Sequence, residues 1–183
     1  LAAIGHVEIN ASCSTSGSKG YELNGADFEG ANLKDANLKE ANLQNALLER
    51  SILNTARLEE AHLEWANLID ANLIAAHLEE AHFEEANLRG ADFDLSHLED
   101  AHLENAFLEG AHLNGAHLER AFLKSAHLEG AYLVEAHLEG AHLEEAHLEG
   151  ADFEGAHLEG AYLEGAHLEG TNFDSAFFED GTS

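Results

Sequence analysis

Residues 26–65 read ADFEG ANLKD ANLKE ANLQN ALLER SILNT ARLEE AHLEW, eight blocks of five whose third residue is always Leu or Phe and whose first is Ala or Ser. The same phase continues without insertion or deletion to AFFED at 176–180, so 31 consecutive blocks occupy residues 26–180, and YELNG at 21–25 reads as a degenerate lead-in. A helix buries residues three and four apart and a strand residues two apart, so a strict large-apolar period of five fits neither. The chain is therefore expected to turn once per block. The bulky third residue and small first residue point to a common narrow axis, and the other three point outward. Backbones of stacked turns would pair about 4.8 Å apart, as neighbouring strands do. The expectation is an all-β parallel solenoid.

Composition narrows the function. The 183 residues carry 36 acidic and 8 basic side chains, a net charge of -28, yet 45% are hydrophobic. Acidic disordered chains lack that apolar content, so one folded domain is expected. The charge excludes attraction to DNA, RNA or anionic membranes as a primary activity, and no run approaches the roughly 18 apolar residues of a membrane span. Basic protein surfaces remain compatible. Cys13 is the single cysteine, so an internal disulfide or thiolate metal site is excluded, and its place among serines marks it as incidental. The chain begins at Leu1 rather than Met, so a longer precursor is expected. Residues 1–25 read as an N-terminal cap and lead-in, with His6-Val7-Glu8-Ile9-Asn10 alternating like a short strand, and 181–183 as a tail. Solenoids need such caps because an open coil exposes its core and an unpaired edge.

Blocks such as Ala31-Asn32-Leu33-Lys34-Asp35 and Ala71-Asn72-Leu73-Ile74-Ala75 follow the pattern A(D/N)LXX and resemble the pentapeptide repeat protein family. The resemblance implies a right-handed quadrilateral β-helix with four blocks per coil, hence nearly eight coils. It also implies an association with cyanobacteria, photosynthetic lumens such as the thylakoid lumen, and bacterial cytoplasm. One departure is systematic: the second residue, usually Asp or Asn, is His in 13 blocks.

With four blocks per coil, residues 20 apart stack. His77, His97, His117, His137 and His157 then form one column, His62, His82 and His102 a second, and His127, His147 and His167 a third. Neutral imidazoles suit zinc, nickel or copper and titrate near neutrality, so these columns are weak candidates for a metal- or proton-responsive surface. A rigid flat ladder offers few convergent ligands, so no firm metal site and no cofactor is assigned. The fourth residue is mostly Glu, as in Glu129, Glu139, Glu149, Glu159 and Glu169, and reads as a solvated acidic face. No nucleophile elbow, P-loop or catalytic Cys/His pair is present, so no catalytic residue is assigned and a non-enzyme is expected.

Outward apolar residues are scarcer. Leu47, Ile52, Trp65, Ile69 and Ile74 are expected to form one partner-binding patch on adjoining faces, centred on the single tryptophan. Phe107, Phe122, Tyr132 and Val134 form a second, looser group, and Phe173, Phe177 and Phe178 a candidate C-terminal contact for an end-to-end homodimer. The leading expectation is a non-catalytic, rigid acidic scaffold that docks on another protein. The alternative, implied by the family resemblance, is a DNA mimic binding a type II topoisomerase. All acids but Glu8 and Glu22 lie within the blocks, giving a charge density similar to the one charge per about 1.7 Å of duplex DNA.

Overall fold

The computed structural model describes residues 20–178; residues 1–19, including most of the expected cap and Cys13, and the tail at 181–183 lie outside it. Every β-bridge is parallel and joins second-position residues 20 apart, from Glu22 with Asn42 through His157 with Phe177. Four blocks therefore close one turn. We number the faces by their second-position columns: face 1 holds Asp27 to His167, face 2 Asn32 to Asn172, face 3 Asn37 to Phe177, and face 4 Glu22 to Tyr162.

The hydrogen bonds explain why five residues suffice for one side and corner. The second residue's N–H donates to the first-position carbonyl of the coil before, as His62 does to Ala41 at 2.9 Å. The third donates to the second-position carbonyl of the coil after, as Leu63 does to His82 at 2.7 Å, and the fifth to a fourth-position carbonyl, as Trp65 does to Glu84 at 3.1 Å. The next block's first N–H returns to the third carbonyl, Ala66 to Leu63 at 3.0 Å, closing a tight turn. That turn puts the fifth residue in the left-handed region, as a type II turn requires at its third residue. Glycine occupies it freely, as at Gly130 (φ 65°), but Trp65 (φ 59°) and Leu95 (φ 59°) adopt it too. Chains of ladder bonds on both sides over-determine the corner and hold these residues there.

The axis is as narrow as the sequence requires. From Ala41 to Leu158 the core side chains at first and third positions are at most 2% exposed. Ser51 and Ser96 replace Ala at 0% exposure, and neither hydroxyl finds a hydrogen-bond partner, so the first position selects for size rather than polarity. The core opens toward the last coil, where Leu168 is 40% and Phe178 38% exposed. Among the described residues no helix is long and apolar enough to cross a membrane.

These packing assignments separate two substitutions. Leu78→Ala, leaving a void in a sealed core, should cost about 2–5 kcal/mol. Ser96→Ala, removing an unpaired buried hydroxyl and restoring the block pattern, should stabilise by about 1 kcal/mol or more. Urea unfolding of both variants measures the pair; destabilisation by Ser96→Ala would contradict the size-only role.

Candidate functional site

The outward surface is built by the short extended piece at positions two to four. Side chains at positions two and four lie on the same side of such a piece, because strand side chains alternate. Where the second residue is Asp or Asn, its Oδ1 generally accepts the fourth residue's backbone N–H, as Asn72 does from Ile74 at 3.1 Å and Asp152 from Glu154 at 3.1 Å; at Asn87 it accepts from the Arg89 guanidinium instead. The backbone N–H bond occupies the one amide that the backbone ladder leaves over in each block of the central coils.

Histidine uses the same proximity differently. Its Nδ1 faces the carboxylate two residues on: His82 to Glu84 at 3.1 Å, His62 to Glu64 at 3.2 Å, His127 to Glu129 at 3.2 Å, His142 to Glu144 at 3.2 Å. The pairing recurs down face 3, at 3.4 Å for His77 with Glu79 and 3.5 Å for His157 with Glu159. His112, followed two residues later by Asn114, has no such acid. The fourth-position acids are expected to form a solvated face; in the His blocks up to Glu159 they are half-buried instead, Glu64 only 15% exposed along its side chain, whereas Glu169 in the last coil is exposed. Burial alone would raise the pKa of Glu64. Hydrogen bonds from its own backbone amide, from Gln44 and from His62, with the His62 charge, outweigh it and hold the carboxyl below its usual range. Glu144 is held low in the same way by its own amide, His142 and Lys124.

The expected columns form, and they are longer than histidine alone suggests. On face 3 His77, His97, His117, His137 and His157 stack with ring centroids 4.9–5.0 Å apart, and Phe177 continues the stack at 4.5 Å. On face 4 the run is His62, His82, His102, Phe122, His142 and Tyr162. On face 1 Phe107 precedes His127, His147 and His167. The 20-residue count, applied to every second-position residue and not only to histidine, reveals these continuations.

The second apolar group does not come together. Phe107 lies on face 1 beneath the Arg89 guanidinium, 4.6 Å from its ring centroid, and Phe122 lies inside the face 4 stack. Only Tyr132 and Val134 share face 2. There they line a shallow hollow with Leu95, a residue 61% exposed that the sequence reading overlooked because it occupies a corner position usually held by Gly or a polar residue. The first group is arranged as expected on two adjoining faces. Leu47 and Ile69 belong to face 1, Ile52 and Ile74 to face 2, and Trp65 stands at the corner leading into face 1. Trp65 is 53% exposed, Leu47 43% and Ile52 40%, while Ile69 and Ile74 are half-buried. At the end of the chain Phe177 is 50% exposed beside the half-buried Phe173, which packs on Phe153.

Comparison with known proteins agrees with this architecture. A profile of pentapeptide repeats (8 copies) matches residues 22–54 and 56–94, and one of a pentapeptide repeat region matches 96–173. The structure is similar to that of HetL, involved in heterocyst differentiation regulation in the cyanobacterium Nostoc sp. strain PCC 7120, with TM-score 0.67 and 29% identity over 88% of this chain and 90% of that one. It is also similar to Rfr23 from the cyanobacterium Cyanothece 51142, with TM-score 0.36 and 34% identity over 62% and 64% of the two chains. QnrB1, a plasmid-mediated fluoroquinolone resistance protein, aligns with TM-score 0.43 and 18% identity over 87% and 89%. No curated protein matches the chain.

The acid–imidazole contacts set the pH behaviour. A carboxyl whose folded pKa is lowered adds stability above its unfolded value, and loses it as pH falls through the folded value. Glu64 and Glu144, both lowered from 4.5, thus stabilise the fold near neutrality and cease to do so in acid. Urea midpoints measured from neutral pH into acid should fall, and should fall less steeply in Glu144→Gln; parallel curves would show that the contact carries no linkage.

Proposed function

Because the chain belongs to the pentapeptide repeat family, and because its largest exposed side chain is a tryptophan at the corner leading into the face that carries Leu47 and Ile69, we propose that it is a non-catalytic scaffold that binds another protein. In this reading the protein is a rigid right-handed β-helix of nearly eight coils, and the patch of Leu47, Ile52, Trp65, Ile69 and Ile74 is the contact. The likeness to HetL, a regulatory protein with the same fold, supports a role through association.

The observation that carries the proposal is Trp65 itself. A left-handed corner is an unfavourable place for a bulky aromatic, at roughly 1–2 kcal/mol against glycine. Yet Trp65 stands there half-exposed at the corner between face 4 and face 1, the face that carries Leu47 and Ile69. Tryptophan anchors dominate interface energetics when a ring of neighbours excludes water. The chain's negative charge selects the partner: an apolar socket rimmed by Lys or Arg, attracted at long range by the acidic surface.

A duplex DNA mimic is the second reading, carried by the linear charge density of the blocks. It is weakened by the half-burial and His pairing of the fourth-position acids on faces 3 and 4, since a phosphate substitute must hold its charge toward solvent.

A pull-down from the source organism tests the reading, using wild type and a Trp65→Glu, Ile69→Glu double variant whose fold is verified by circular dichroism. A partner bound by wild type and weakened at least tenfold in the variant is expected. A partner that binds both equally and is released by moderate salt would replace docking with surface charge as the mechanism.

A further inference from the structure

Face 4 carries a second feature, which ends at the corner occupied by Trp65. Its first coils form a concavity of about 520 Å³ lined by His62, His82 and His102 and, along the preceding corner, by Glu40, Glu60 and Glu80. The three imidazoles are parallel within 11°, with centroids 4.8 and 4.6 Å apart. On the side away from Glu40, Glu60 and Glu80, Glu64 and Glu84 set one carboxylate oxygen 3.2 and 3.1 Å from the Nδ1 of His62 and His82. Two three-residue groups result, His62 with Glu64 and His82, and His82 with Glu84 and His102, each with its donor atoms within 4.8 Å of one another.

We propose that this groove is a binding site for a divalent transition-metal ion of the zinc class, with His82 as the ligand common to both groups. Zinc bonds to imidazole nitrogen and carboxylate oxygen are about 2.0–2.2 Å, so neighbouring ligands of a tetrahedral ion lie roughly 3.4 Å apart. The His Nδ1 to Glu oxygen separations already match that spacing, so each His-x-Glu unit is a ready two-point chelate. The third donor comes from the imidazole of the next coil, whose ring is one-third exposed and whose nitrogen lies within 4.8 Å of the other two donor atoms, and water fills the remaining position. Nitrogen donors favour zinc, nickel or copper over calcium or magnesium, which take oxygen cages. The flanking acids of the corner column add negative potential around the cation without being needed as ligands. Similar groups occur at His127, Glu129 and His147 and at His137, Glu139 and His157, but the described concavity with its second carboxylate row is on face 4.

The test uses the full chain stripped of metal and titrated with zinc chloride at neutral pH against a chromophoric zinc chelator. The comparison is a His62→Asn, His82→Asn, His102→Asn variant. Asparagine is native to this column at Asn42, where it accepts the fourth residue's amide, so the replacement keeps the local bonding. Wild type should show saturable uptake whose tightest class is weakened at least tenfold in the face 4 variant. A His77→Asn, His97→Asn, His117→Asn variant on face 3 should keep that class. Cobalt substitution should give visible d–d absorption from nitrogen and oxygen ligation in wild type and not in the face 4 variant. Absence of saturable zinc uptake by wild type would overturn the proposal, as would equal tight uptake by the face 4 variant. Should the variant fail to fold, a wild-type cobalt spectrum like that of the free aqueous ion would overturn it.

Discussion

The fold depends on a closed side of five residues whose interior holds one Leu or Phe and one Ala, and nothing larger. Because that interior is sealed from Ala41 to Leu158, every first residue there must be small and every third large. Because each coil's amides bond to the coils above and below, the register can shift only by whole blocks. The 20-residue columns are the consequence. Bridges lock second-position residues at the spacing of adjacent strands, and whatever stands there must stack on its equals. Histidine, phenylalanine and tyrosine fit such a column interchangeably, which is why the ladders on faces 3 and 4 pass from imidazole to phenyl without a break.

Much of this was legible in the sequence. The uninterrupted phase from Ala26 announced one turn per block, and the family resemblance supplied the fourfold closure that turned spacing into columns. His77 through His157 stack where that arithmetic places them. The fourth-position acids were less legible. Which outward side chains lie flat against their neighbours depends on the pleat, which brings positions two and four together and half-buries acids such as Glu64 and Glu119. The corner residues were also opaque. Nothing in the identity of Ala75, Trp65 or Leu95 announces a left-handed conformation; the ladder bonds of adjoining coils impose it. Phe107, Phe122 and Tyr132 make only a loose group in the sequence, and the columns assign them to three different faces.

A rigid four-sided rod allows different faces to do unrelated work. Leu47, Ile69, Ile52 and Ile74 occupy faces 1 and 2 and Trp65 the corner between faces 4 and 1, while the imidazole–carboxylate groove occupies face 4. Neither needs the core to change, since every second, fourth and fifth position lies outside it. The core in turn tolerates this diversity because its own requirements are met by two residues in five. Protonation of a His column would place like charges about 5 Å apart, worth roughly 1 kcal/mol per neighbouring pair in water, so its carboxylate neighbours matter to the column's own stability.

The bonding scheme that underlies all of this has a direct signature in residue-resolved amide hydrogen exchange. In the blocks from 41 to 155 four amides of five are bonded by backbone, and the fourth-position amide is not. The account predicts slow exchange broken at every fifth residue through the central coils. Fast sites should fall at Glu79, Glu99, Glu119 and Glu139, and slower ones at Ile74 and Asp94, where Asn72 and Asp92 cap the amide. Protection without a five-residue period, or protection at Glu99 equal to that at Leu98, would contradict it.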